Sequence, residues 1–250
     1  MLKIEKTVLP SPEQWEIIIE GMRNPMNSWD KMDTGWKYFE YEDDPEDYRA
    51  EDEEEPMFLI LGENDHKLMK QLAKGGAVHA KYRRMIPVFL TINAPLYWWK
   101  EFDTYKVGTV ANSCSTMHKI QAKEFTLDDF SCEHLFNADV EEIPEMDLLD
   151  VNEEWDYLID SDEVLKMTIM ALNLYRERLL KTKDKKYWWQ MIQLLPTSYN
   201  QKRTVMLNYE VLVNIYHSRK NHKLDEWHTF CDWIKTLPYS ELITGSGEDV

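Results

Sequence analysis

Three polar residues in the last third of the chain have the types and spacing to bind a ligand: Asn208, Asn214 and Arg219, downstream of Leu195-Pro196. They stud the segment TVMLNYEVLVNIYHSRK (204–220), among Leu207, Val211, Leu212, Val213 and Ile215. Asn is slightly disfavoured inside helices because its side chain competes for backbone hydrogen bonds. A guanidinium flanked by amides suits a planar, anionic ligand, since one offers a rigid fork of donors and the others offer donor and acceptor together. The plain alternative is a helix packed through satisfied amides. Read as one helix over 204–220, the segment puts Asn208 and Arg219 on a shared face, with Asn214 about 120° away. One flat pocket does not receive all three; a groove crossing the helix or a subunit boundary does.

Other chemistries find less support. Cys114, Cys132 and Cys231 form neither a disulfide framework nor a C-x-x-C metal site. Cys114 has the chemistry of a nucleophile, and His118 shares its face only if the intervening residues are helical. His79, His217 and His222 lack compact metal-ligand spacing, so no metal is expected. Gly75-Gly76 reads as a flexible break rather than a phosphate loop.

The elements that must position these residues follow from pattern. Met1–Val8 reads as an edge strand, and Ser11-Pro12 as the start of a helix reaching Gly21. A second helix is expected from Leu61 to Lys74. IPVFLTIN alternates Val88, Leu90 and Ile92 against Phe89, Thr91 and Asn93, which predicts a strand. Ala94-Pro95 then marks a turn into the helix LYWWKEFDTYK. Asp160 with Glu163 three residues on predicts a capped helix burying Val164, Leu165, Ile169, Leu172, Leu179 and Leu180. A final helix is expected over Trp227–Leu237. The fold class is α+β, with helices around a central antiparallel or mixed sheet, in a single domain spanning 1–250.

Composition narrows the partners. The formal charge of −17 opposes a generic nucleic-acid binder, so direct nucleic-acid binding is not expected. Eleven carboxylates and one Arg between Glu40 and Glu55 predict an exposed acidic loop or insert at 40–56. The tail at 244–250 is expected to fray. No secretion signal or membrane-spanning run is evident, and cytosol is the default location.

Two stretches together resemble the flavin-dependent thymidylate synthases. VFLTINAPLYWWKEFDTYK resembles the family's strand, Ala-Pro and helix, and LLPTSYNQKRTVMLNYEVLVNIYHSR its late Leu-Pro with spaced Asn, Asn and Arg. The likeness covers roughly Lys67–Thr116 and Trp188–Arg219. The family signature RHRxxSxNExSxRY is altered. Thr104-Tyr105-Lys106 stands for Arg-His-Arg, Thr109 for the first Ser, Ala111-Asn112 for Asn-Glu, Cys114 for the next Ser, and Thr116-Met117 for Arg-Tyr. Met85 stands where the family commonly has a flavin-contacting His.

The resemblance implies chemistry on a pyrimidine nucleotide, nearest to methylation of deoxyuridylate (dUMP). FAD, NADPH and methylene-tetrahydrofolate are then the implied cofactors, and a homo-oligomer, a tetramer in the family, the implied assembly. Arg219 becomes a nucleotide contact, with Asn208 and Asn214 neighbours of the flavin or substrate. Lys106 has the charge to attract phosphate, and Tyr105 the ring to stack on a base or the hydroxyl to donate. Asn112 can orient a base or cap a turn, and Cys114 lies on the same substrate-facing signature. With so many positions changed, flavin retention stays open. So does the alternative of a non-catalytic oligomeric module that binds a nucleotide or a protein.

Overall fold

The computed structural model describes residues 1–38, 57–136 and 160–245. The acidic run at 40–56 and the tail beyond Gly245 lie outside the described residues. In chain order the elements are β1 (Lys3–Val8), α1 (Pro12–Arg23), β2 (Gly35–Tyr38), β3 (Met57–Ile60), α2 (Glu63–Lys74), β4 (Pro87–Pro95) and α3 (Leu96–Phe102). They continue with β5 (Val110–Ser113), α4 (Ser161–Thr182), α5 (Lys185–Leu194), β6 (Asn200–Asn208), α6 (Tyr209–Arg219), α7 (Asp225–Lys235) and α8 (Glu241–Thr244). One sheet has the strand order β1-β4-β6-β5, which puts β1 on its edge; β2 and β3 form an antiparallel pair. The class is the expected one, α+β with helices around an antiparallel or mixed sheet.

Local signals explain several of these elements. Ser11 closes a capping box with Gln14, and Pro12 opens α1, which runs past Gly21 to Arg23. In β4, Val88, Leu90 and Ile92 are buried while Phe89 is exposed, the period of two expected of a strand. The strand continues through Ala94-Pro95 and passes straight into α3, so no separate turn intervenes. Asp160 caps α4 by accepting from the backbone N–H of Asp162 and Glu163.

The sequence expectation fails in 204–220. That stretch is not one helix: β6 runs to Asn208, and α6 begins at Tyr209. Val205 and Leu207 are buried as alternate strand residues, and the same two positions also fit a helical apolar pattern. Asn208 is consequently the cap of α6, its Oδ1 accepting from Val211 N–H at 3.1 Å. The apolar face expected of α4 is also narrower than its sequence suggests, for Leu165 and Leu172 are buried while Val164 and Leu180 are exposed.

Contacts divide the chain into two units, with β1, β4, β5 and β6 contributing residues to both. Unit 1 holds Met1–Lys3, Ile92–Thr104 and Asn112–Arg203. Its core gathers Ile120, Phe125, Phe130, Leu165, Leu172 and Met191. Trp98, Trp99 and Phe102 of α3 pack their rings 4.9–5.3 Å apart by centroid.

Unit 2 holds Ile4–Thr91, Tyr105–Ala111 and Thr204–Val250. Here α6 packs against α7, α8 and the short helical turn Lys81–Met85. A buried polar knot fixes the start of α2. Asp65 accepts from Arg23 Nε at 2.6 Å and from the backbone N–H of Asp33 and Thr34 at 3.0 and 2.8 Å. Asp33 in turn accepts from Asn64 and Asp65 N–H, supplying the cap that Gly62 cannot. Burial pushes the Asp33 carboxyl up, but the backbone donors outweigh it and hold its pKa below the ordinary value.

Candidate functional site

Helix α6 carries the candidate residues on two faces. On one, Arg219 Nε donates to the Tyr105 hydroxyl at 2.9 Å. The guanidinium carbon lies 4.8 Å from the Trp227 ring centroid and 5.7 Å from that of Tyr105, within cation–π range. Arg219 sits in the last turn of α6, where the helix dipole favours a cation. At the start of the same helix, Gly108 (φ +81°) brings its loop close. A Cβ there would stand 3.1 Å from Asn208 Nδ2 and 3.2 Å from Val211 Cγ2. The 105–108 loop therefore spans α6, touching Asn208 near one end and Arg219 at the other.

The other face of α6 lines a cleft of about 390 Å³ with α2 and the Lys81–Met85 turn, near the low end of ligand pockets at roughly 300–1,000 Å³. Glu210, Val213, Asn214 and His217 recur there at helical spacing. Lys70 and Lys74, four apart on α2, add two cations. Arg83, also in the wall, is buried and committed. Its Nε and Nη2 bond Glu210 Oε2 at 2.9 and 2.8 Å, and its Nη1 donates to the Leu242 carbonyl at 3.1 Å. Glu210 neutralises it, which leaves Lys70, Lys74, His217 and the Glu241 carboxylate, itself paired with His66, to set the cleft's response to an anion.

The structure thus brings Tyr105 and Arg219 together, sets Asn208 toward the same loop as a helix cap, and turns Asn214 into the cleft. Lys106 is exposed on the loop. Asn112 and Cys114 belong to unit 1 and are exposed. Cys114 pairs through its backbone, N–H to Lys202 O at 2.9 Å and carbonyl from Gln201 Nε2 at 2.8 Å. The residues after β5 are turns rather than helix, so the shared helical face imagined for Cys114 and His118 does not exist. Sequence reading missed Trp227, Arg83, Lys70, Lys74 and His217. The four-residue spacing of Lys70 and Lys74 was the one local signal available for them. Among the described residues, no group of three or more His, Cys, Asp and Glu side chains is placed to hold a metal ion, and no helix is long and apolar enough to cross a membrane.

No protein-family model matches the chain, and no curated protein matches it by sequence. Solved structures do. Thymidylate synthase X from Helicobacter pylori, crystallised with FAD and dUMP, aligns over 97% of this chain and 95% of its own, with a TM-score of 0.56 at 15% identity. The UMP/dUMP methylase PolB from Streptomyces cacaoi, bound with 5-Br dUMP, aligns over 99% and 95%, with a TM-score of 0.54 at 13% identity. The same enzyme with 5-Br UMP gives 0.55 at 12% identity over 98% and 93%. At these identities the likeness is one of fold, and it extends along almost the whole chain.

The positions that the resemblance implies for a flavin stand in three different settings. The Asn208 acceptor is committed to its own helix, Asn214 faces a cleft bearing Lys70, Lys74 and the Arg83–Glu210 pair, and Met85 is exposed.

Proposed function

We propose that this chain binds a pyrimidine deoxynucleotide and acts on its base, as a diverged relative of the flavin-dependent thymidylate synthases. The observation that carries the reading is the bond between Tyr105 and Arg219. It joins the altered signature loop to the late-helix guanidinium on a fold whose solved examples hold dUMP and its bromo analogues. In this reading Arg219 anchors the nucleotide through phosphate or a base carbonyl, and Tyr105 fixes the guanidinium plane. Lys106 adds phosphate attraction. Asn208 beside the loop and Asn214 in the cleft on the other face of α6 are its flavin- or substrate-side positions, and Asn112 and Cys114 belong to it as residues of the altered signature. FAD, NADPH and methylene-tetrahydrofolate belong to the reading as cofactors of dUMP methylation. A homo-oligomer, implied by the same resemblance, belongs to the reading as well.

The test is made on the purified full chain. Yellow absorbance, flavin identified by mass, calorimetric binding of dUMP and dUMP-dependent NADPH oxidation are the expected results. Colourless protein without dUMP affinity overturns the reading. A second reading, a non-catalytic oligomeric module on the same fold, is favoured by the packing of Arg219 against Trp227 and Tyr105, which already engages the guanidinium. Nucleotide binding without flavin or NADPH turnover would select it.

A further inference from the structure

Positive charge in this acidic chain collects at one place in unit 1. From Arg176 to Lys186 stand Arg176, Arg178, Lys181, Lys183, Lys185 and Lys186 against Glu177, 3.9 Å from Lys181, and Asp184, 3.1 Å from Lys186, followed at once by Tyr187, Trp188 and Trp189. The fold turns this run into a hairpin end. Lys183 closes α4 in the left-handed conformation (φ +59°), and Asp184 caps α5 by accepting from Lys186 N–H. Two bonds hold a neighbouring segment alongside, Arg176 Nε to Gln121 O at 3.1 Å and Trp188 Nε1 to Met117 O at 2.9 Å, which adds exposed Lys119.

The aromatic rings are part of the same surface. Lys185 Nζ lies 5.7 Å from the centroids of both Trp188 and Trp189, and Lys186 Nζ 4.9 Å from that of Tyr187. Trp189 is 45% exposed, although burial in a core is the usual fate of an indole. Lysines interleaved with an accessible indole have the composition that holds an unpaired strand, with cations on phosphates and a base stacked on the ring.

We propose that this end of the α4–α5 hairpin binds single-stranded nucleic acid. Arg178, Lys183 and Lys185 contact the backbone, Lys181 and Lys186 share their charge with Glu177 and Asp184, and Trp189 stacks a base. The overall charge of −17 does not prevent this, because at physiological salt a charge is screened within about 8 Å and the local field governs. A paired strand leaves no base face for the indole, so single strands are preferred over duplex. An acidic protein segment would use the lysines but has no need of the indole.

The experiment is fluorescence anisotropy of a labelled oligothymidylate of about fifteen nucleotides against the full chain. With three to four phosphates neutralised, affinity falls about 20- to 50-fold between roughly 50 and 200 mM salt. Trp189→Ala weakens binding about tenfold. Lys185→Glu with Lys186→Glu abolishes it, with thermal melting checked for each variant. Arg178→Glu makes the same charge test on regular helix backbone. Absence of binding at low salt, equal affinity for duplex, or indifference to Trp189→Ala overturns the proposal. Binding of a peptide of residues 40–55 in place of the oligonucleotide does so too, and makes the patch a protein-docking surface.

Discussion

Arg219 Nε donates to the Tyr105 hydroxyl across 114 residues of sequence, and the pair separates two roles that a single substitution confounds. Tyr105→Phe keeps the ring beside Trp227 and removes only the hydroxyl. The expected cost is about 1 kcal/mol, read as a drop of about 2–4 °C in melting temperature. Arg219→Ala is expected to weaken dUMP binding at least tenfold in calorimetry while the far-ultraviolet circular dichroism is unchanged. Wild-type affinity in a folded Arg219→Ala protein would remove this residue from the site.

Gly62 admits the Asp33 carboxylate to the start of α2. A Cβ at 62 would overlap both that carboxylate and the Asp33 backbone, so Gly62→Ala has no conservative accommodation. Urea denaturation should show a loss well beyond the roughly 1 kcal/mol typical of losing a helix cap. Asp33→Ala, which removes only the cap, should lose about 1–2 kcal/mol. Equal losses in the two variants would mean that the close approach is relaxed at little cost.

Asp65 satisfies Arg23 and two backbone N–H groups where the Arg23–Asp65 pair is almost wholly buried. Asp65→Ala leaves a buried guanidinium without its partner and is expected to cost about 3–5 kcal/mol. Chemical denaturation monitored by tryptophan fluorescence is the measurement. A loss below about 1 kcal/mol would show the pair to be solvated in solution.

Burial pushes the Cys231 thiol up to about 11, and likewise raises the Tyr209 and Tyr82 hydroxyls above the ordinary tyrosine value. These groups stay protonated in the folded chain after they have ionised in the unfolded one, so the unfolded state binds fewer protons. Stability is therefore full below about pH 8.5, the ordinary thiol value, and falls as pH rises toward 11. Urea midpoints at about pH 8 and pH 10.5 should differ in that sense. Cys231→Ala should reduce the difference, leaving the share due to Tyr209 and Tyr82, and a midpoint that rises with pH would contradict the assignment. Thiol titration at neutral pH should label exposed Cys114 first and Cys231 only on unfolding.

What could be read from the residues depended on how local the cause was. Ser11 with Gln14 and Asp160 with its two N–H donors are caps made within three residues, so they were legible. The β4 strand was legible too, because alternation of Val88, Leu90 and Ile92 needs only a buried face. The 204–208 segment was not, since Val205 and Leu207 satisfy a strand and a helix alike until β4 lies beside it.

Sequence by itself determined the class of fold, the uneven charge, and the presence of amide and guanidinium groups near α6. Tertiary structure alone decided their use: Asn208 as a cap, Asn214 in a cleft, and Arg219 against Tyr105 and Trp227. The reason is that capping and periodicity act over one or two turns of chain. The partners of a side chain 114 residues away are instead chosen by how strands and helices pack, and no local pattern encodes that choice.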